Sequence, residues 1–174
     1  YTDKYTYSGD TVVAGTVLGL ARHSLAATGN ATVGIFGGGY RYGNRNYTDK
    51  YTYSGDTVVA GTVLGLARDY LAATGNATVG IFGGGEPNGD TNYTDKYTYS
   101  GDTVAAGTVL GLARNGLAAT GNATVGIFGG GRTSGSRTNY TDKYTYSGNT
   151  VAAGTVLGLV RAYLSACSAT ANGL

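Results

Sequence analysis

YTDKYTYSGDTVVAGTVLGLARHSLAATGNATVGIFGGG, residues 1–39, returns at residues 47–85 with two changes, Asp69 for His23 and Tyr70 for Ser24. It returns again at residues 93–131, where Ala105, Asn115 and Gly116 replace Val59, Asp69 and Tyr70 of the second copy. A fourth copy opens at Tyr140 and leaves the pattern after Arg161, running through Cys167 to Leu174 without the triple-Gly close. Successive openings lie 46, 46 and 47 residues apart. Near-identity at such a period means one supersecondary unit, stacked on copies of itself to bury a face it cannot bury alone. The chain therefore reads as one domain, residues 1–174, made of repeats 1–46, 47–92, 93–139 and 140–174.

Within a repeat, four short strands are expected. Residues 4–8 alternate Tyr with polar side chains, and Ser8-Gly9-Asp10 is a turn signal. Residues 11–16 are β-branched or small. Residues 25–28 form a third strand, closed by Gly29-Asn30 as a hairpin pair. Residues 32–36 are an apolar run ended by Gly37-Gly38-Gly39. Glycine breaks every apolar stretch, so no window keeps a helical spacing for three turns, and residues 17–22 read as loop. Four strands in 46 residues is the spacing of a propeller blade, with a β-solenoid as the other architecture the period allows.

Composition narrows the class further. There are 32 Gly and 16 Tyr, one each of Pro, Cys and His, and neither Trp nor Met. Only 13% of residues are charged, with a net charge of +2. Aromatic and β-branched content argues against disorder. Collagen would need glycine at every third position. A bilayer span would need about 18 uninterrupted apolar residues, so no membrane insertion is expected. Cys167 has no partner for an intrachain disulfide. A chain that opens at Tyr1 without methionine is expected to be a processed or excised piece, and no signal or transit segment fixes its compartment.

Ile35-Phe36-Gly37-Gly38, then Tyr51 and Tyr53, then Arg68 before a small-residue strand, resembles the kelch repeat, with Val12, Val58, Val104 and Val151 in place of its Trp. The resemblance covers the whole chain. It implies an all-β propeller of four-stranded antiparallel blades, with the strands at Leu25 and Val33 as the inner pair and the following Tyr and Val strands as the outer pair. About four blades then fall to one chain, the closing one built from residues 1–16 and 164–174. Three arrangements fit that count: a small four-bladed ring, an eight-bladed ring completed by a homodimer, or part of a longer array. Near-identical modules make exchange between chains cost little, which favours the dimer. The copper-radical oxidase related to kelch rings needs histidine ligands that this chain lacks.

Differences between the copies fall mainly at two places. One is residues 23–24 with their equivalents 69–70, 115–116 and 162–163. The other is the linkers 40–46 (YRYGNRN), 86–92 (EPNGDTN) and 132–139 (RTSGSRTN). Strand alternation puts both on one face and the unvarying turns on the other. A diversified rim on a uniform scaffold is the pattern of a binding face, although loops also vary without function. Its candidate residues are Tyr40, Arg41, Tyr42, Arg45, Tyr70, Arg132, Arg137 and Tyr163, whose contact area and hydrogen-bonding tips suit protein or glycan. Nucleic acid is not expected: the basic residues are thin, and Asp69, Glu86 and Asp90 interrupt them.

Catalytic residues, metal and cofactor are each read as none. His23 occurs in one copy at a variable position and reads as a surface residue. Cys167 is expected in a small buried apolar role. Arg22, Arg68, Arg114 and Arg161 recur in all copies and are expected to hold backbone carbonyls or pair with Asp. The expected function is a non-catalytic, lectin-like structural or binding module, set by analogy on an extracellular or virion surface. The alternative is a designed or excised repeat array with no evolved ligand.

Overall fold

A computed structural model describes residues 1–6 and 8–167, with strands, turns and loops but no helix among them. In chain order, β1 (Asp3–Thr6) and β2 (Thr11–Ala14) form a hairpin by themselves. β3 (Ala26–Gly29), β4 (Val33–Gly37), β5 (Thr48–Thr52) and β6 (Thr57–Gly61) form an antiparallel sheet in sequential order. β7 (Ala72–Gly75), β8 (Val79–Gly83), β9 (Thr94–Thr98) and β10 (Thr103–Ala106) repeat it. The third unit runs through β11 (Ala118–Gly121), β12 (Val125–Gly129), β13 (Arg132–Thr133), β14 (Ser136–Arg137), β15 (Thr141–Thr145) and β16 (Thr150–Ala153). There β11, β12, β15 and β16 make the sheet, and β13–β14 is a small hairpin inside the third linker that the sequence reading did not foresee.

Each sheet begins halfway through one repeat and ends halfway through the next. The A-A-T-G and V-G-I-F-G strands of one copy pair with the T-D-K-Y-T and T-V-V-A strands of the following copy, for example Gly34 opposite Tyr51 and Phe36 opposite Asp49. The grouping of strands across the repeat boundary is the one expected. Three sheets are complete; of the expected fourth, the described residues give the β1–β2 hairpin, and residues 168–174 of its other half lie outside the described residues.

The core lies between sheets. Val33 and Ile35 of the first sheet pack with Phe82, Tyr97 and Tyr99 of the second, and Leu64 and Leu71 of the connecting segment complete the cluster. Val79 and Ile81 of the second sheet meet Phe128, Tyr144 and Tyr146 of the third in the same way. Burying side chains this size is worth about 1.5–3 kcal/mol each, so each stacked neighbour contributes much of the stability that one sheet alone lacks.

A buried polar post crosses each unit. Arg68 donates through Nε to Gly84 O (2.7 Å), through Nη2 to Phe82 O (3.1 Å) and through Nη1 to Asp95 Oδ2 (2.7 Å). Arg22 does the same with Gly38 O, Phe36 O and Asp49. Arg114 donates to Phe128 O and pairs with Asp142 at 2.7 Å. Arg22, Arg68 and Arg114 thus serve both expected roles at once, whereas the exposed Arg161 of the fourth copy has no such Asp pair among the described residues. Burial pulls the Arg68 guanidinium down from its ordinary value, and Asp95 opposes that pull. Asp95 Oδ1 also accepts from Gly65 N at 2.8 Å. A Cβ on Gly65 would stand 2.9 Å from that oxygen, which explains the glycine.

Turn chemistry differs from expectation at one place. The Gly29-Asn30 pair is not a left-handed hairpin turn. Asn30 Oδ1 instead accepts from Thr32 N (2.9 Å) and Val33 N (3.0 Å), while its Nδ2 donates to Ala77 O of the next unit. The positive φ falls in the other turn, at Asp10, Asp56, Asp102 and Asn149, residue types that tolerate it.

Candidate binding rim

The two variable places of each copy are hydrogen-bonded to each other. Tyr40 N donates to His23 O (2.9 Å), Glu86 N to Asp69 O (2.9 Å) and Arg132 N to Asn115 O (2.8 Å). Each connector therefore meets the first residue of the linker that follows it. A second set runs from unit to unit: Tyr70 N donates to Ser24 O (3.0 Å), Gly116 N to Tyr70 O (2.9 Å) and Tyr163 N to Gly116 O (2.7 Å). These four residues form one backbone belt, and all four have positive φ, between 49° and 59°. Holding Ser or Tyr there costs about 1–3 kcal/mol per residue, the kind of stored strain that marks ligand sites.

The expected rim residues fall into two groups. Tyr40, Arg41, Tyr42 and Arg45 share the first linker. Tyr40 lies 5.4 Å from the His23 ring, Arg41 sits over Tyr42 at 5.8 Å, and Arg45 Nη2 donates to Arg41 O at 2.6 Å. Tyr42 is 89% exposed. Around Gly116 stands the other group: the Tyr70 and Tyr163 rings meet edge-on at 5.6 Å, and Arg132 Nη1 lies 3.5 Å from Tyr163 Oη. Arg137 is exposed on β14, directly opposite Arg132 of β13.

Sequence reasoning missed the polar residues between those groups. A cavity of about 570 Å³ opens between the second and third linkers, lined by Glu86, Asp90, Asn115, Arg132 and Tyr163. Asn115 Nδ2 donates to Asp90 Oδ1 (2.7 Å) and Glu86 Oε2 (3.1 Å), and Ser134 N donates to Asp90 Oδ2 (2.6 Å). Nearby, Asp69 is buried; burial pushes its carboxyl up, and the Glu86 charge adds to the push. The signal lies in the variable positions 86, 90 and 115, whose short polar side chains offer little contact area alone and gain a role only where the fold brings them together.

A separate, smaller cavity of about 170 Å³ lies among the first strands of the three complete sheets. β3, β7 and β11 line it together with Ala166 and Cys167 of the fourth copy. Thr28 and Thr74 hydroxyls there bond the Tyr99 and Tyr146 phenols of the next unit at 3.0 and 2.9 Å. Cys167 is exposed, which corrects the expected buried role; its carbonyl accepts from Thr120 Oγ1 at 2.9 Å. His23 is exposed. Among the described residues, no three His, Cys, Asp or Glu side chains gather as a metal set. Neither the family models nor the curated proteins contain a match to this chain.

Proposed function

We propose that the chain is a non-catalytic, kelch-like β-propeller module that recognises a glycan or a protein surface through its variable loop face. The observation that carries this reading is the backbone belt Ser24–Tyr70–Gly116–Tyr163, because it joins the variable positions of all four copies into one continuous rim. A scaffold that fixes the main chain and leaves the side chains to differ is suited to recognition. Binding of the intact chain to a glycan array or a protein panel, set against a variant with the three linkers replaced by Gly/Ser, tests it. Loss of binding in the variant is expected; unchanged binding sinks the reading.

Ring closure is part of the proposal. Inner segments of all four copies border one cavity of about 170 Å³, which supports a tight, four-bladed ring from a single chain. The alternative is a homodimer completing an eight-bladed ring, in which each chain supplies the partner's fourth blade. Light scattering separates them: 17.6 kDa is expected for the single-chain ring, and twice that mass favours the dimer.

A further inference from the structure

We infer that the cavity between the second and third linkers is a subsite for a neutral hexopyranose, an assignment that rests on the reading of the rim as a binding face. Asn115 carries the argument. It is only 8% exposed, and its Nδ2 is committed to two carboxylates, Asp90 at 2.7 Å and Glu86 at 3.1 Å. Those contacts fix the amide orientation, since the reverse would set oxygen against oxygen. Asn115 Oδ1 is then left buried without a hydrogen-bond partner among the described residues, in a side chain that belongs to the lining of an open cavity. A buried acceptor in that condition costs free energy until a donor arrives, and a ligand hydroxyl is such a donor.

The surrounding groups narrow the class. Glu86 and Asp90 are further acceptors for hydroxyl hydrogens. Arg132 is anchored by Nε and Nη2 on Gly135 O, at 3.2 and 2.8 Å, so it offers remaining N–H groups in a fixed place to a ring or hydroxyl oxygen. The Tyr163 ring lies against Gly116, where an added Cβ would come within 2.8 Å of it. It is 59% exposed, leaving an aromatic plate for the C–H face of a sugar ring. Adjacent hydroxyls, each both donor and acceptor, match carboxylate, amide oxygen and guanidinium side by side. Glu86 and Asp90 repel an anion, and the Arg132 guanidinium offsets one of the two carboxylates, which weakens the pull on a cation. The volume, about 570 Å³, falls within the range of small-ligand sites.

The test is titration of the isotopically labelled full chain with the methyl glycosides of glucose, galactose and mannose, up to about 50 mM, followed by amide NMR. At least one glycoside is expected to move the Asn115 side-chain amide and the Gly89 and Gly135 backbone amides. Asp90→Asn and Tyr163→Ala, each checked as folded by the same spectra, are expected to weaken that binding about tenfold or more. Absence of shifts with all three sugars overturns the subsite, as does equal binding by both variants, or response to glucosamine alone. A glycan-array signal that is lost on replacing residues 40–46 but kept in Asp90→Asn overturns the subsite while leaving the rim reading in place.

Discussion

Arg68 and Arg161 occupy the same place in their repeats and different surroundings in the fold. Arg68 is fully buried and paired with Asp95, whereas Arg161 is exposed and its side chain, among the described residues, donates to Leu159 O at 3.4 Å. Arg68→Met leaves the Asp95 carboxylate buried without its cation, so a loss of about 3–5 kcal/mol is expected in denaturant unfolding. Arg161→Met is expected to change stability by less than about 0.5 kcal/mol. Glycines divide in the same manner. Gly84 has φ +67°, and a Cβ there would stand 2.8 Å from Arg114 O. Gly84→Ala therefore combines strain with a backbone clash and is expected to cost about 2 kcal/mol or more. Gly101 has ordinary φ and only van der Waals neighbours, so Gly101→Ala, measured beside it, is expected to be near neutral.

At the scale of the elements, the outer hairpins are clasped by a tyrosine and the turn that follows it. The Tyr97 hydroxyl donates to Asp102, Tyr51 to Asp56, and Tyr144 to Asn149. Each turn also takes a hydroxyl from the preceding unit, as Thr62 Oγ1 donates to Asp102 O. Tyr97→Phe keeps the ring and removes the clasp, and is expected to lower stability by about 1–2 kcal/mol in thermal or denaturant unfolding. The same contact sets an acid limit. The Tyr51 hydroxyl, then Thr16 N–H and Lys4, hold the Asp56 carboxyl at about 2. A carboxylate held below its ordinary value stabilises the fold fully above about pH 4, and that contribution drains away as pH falls through about 2. Thermal melts across this window are expected to decline, with a shallower slope in Asp56→Asn.

These hairpins were largely legible in the sequence, because a two-residue alternation repeated with almost no change leaves little freedom in register. Strand ends differ by one or two positions: residues 4–8 and 11–16 were expected where Asp3–Thr6 and Thr11–Ala14 are found. Residues 25–28 were expected where Ala26–Gly29 is found, since Leu25 turns off the ladder and its equivalents Leu71 and Leu117 enter the cores between sheets. The β13–β14 hairpin was not foreseen, because only the third linker has it; its Ser134-Gly135 turn, with φ of +48° and +81°, was the available clue. The polar cavity was illegible for another reason. Asn115 meets Glu86 and Asp90 across 29 and 25 residues, and no local pattern encodes that meeting.

For the whole molecule, the belt on the variable face uses only main-chain N–H and C=O groups, so it is indifferent to which side chains it carries. Its one demand is a residue that accepts a left-handed backbone, already met by Ser24, Tyr70, Gly116 and Tyr163. Positions 24, 70, 116 and 163 therefore sit on a common mount, coupled where the Tyr163 ring lies against Gly116 and meets the Tyr70 ring edge-on. Gly116 is to be kept, since a Cβ there would meet the Tyr163 ring at 2.8 Å. A library varying positions 24, 70 and 163 over Asn, Asp, Gly, Ser and Tyr is then expected to stay folded, with Gly melting highest and midpoints moving by about 2–4 °C per kcal/mol of backbone strain in thermal scans. The frame is thus held by bonds that carry no side-chain identity, so the spelling of the belt can change while its main-chain wiring stays the same.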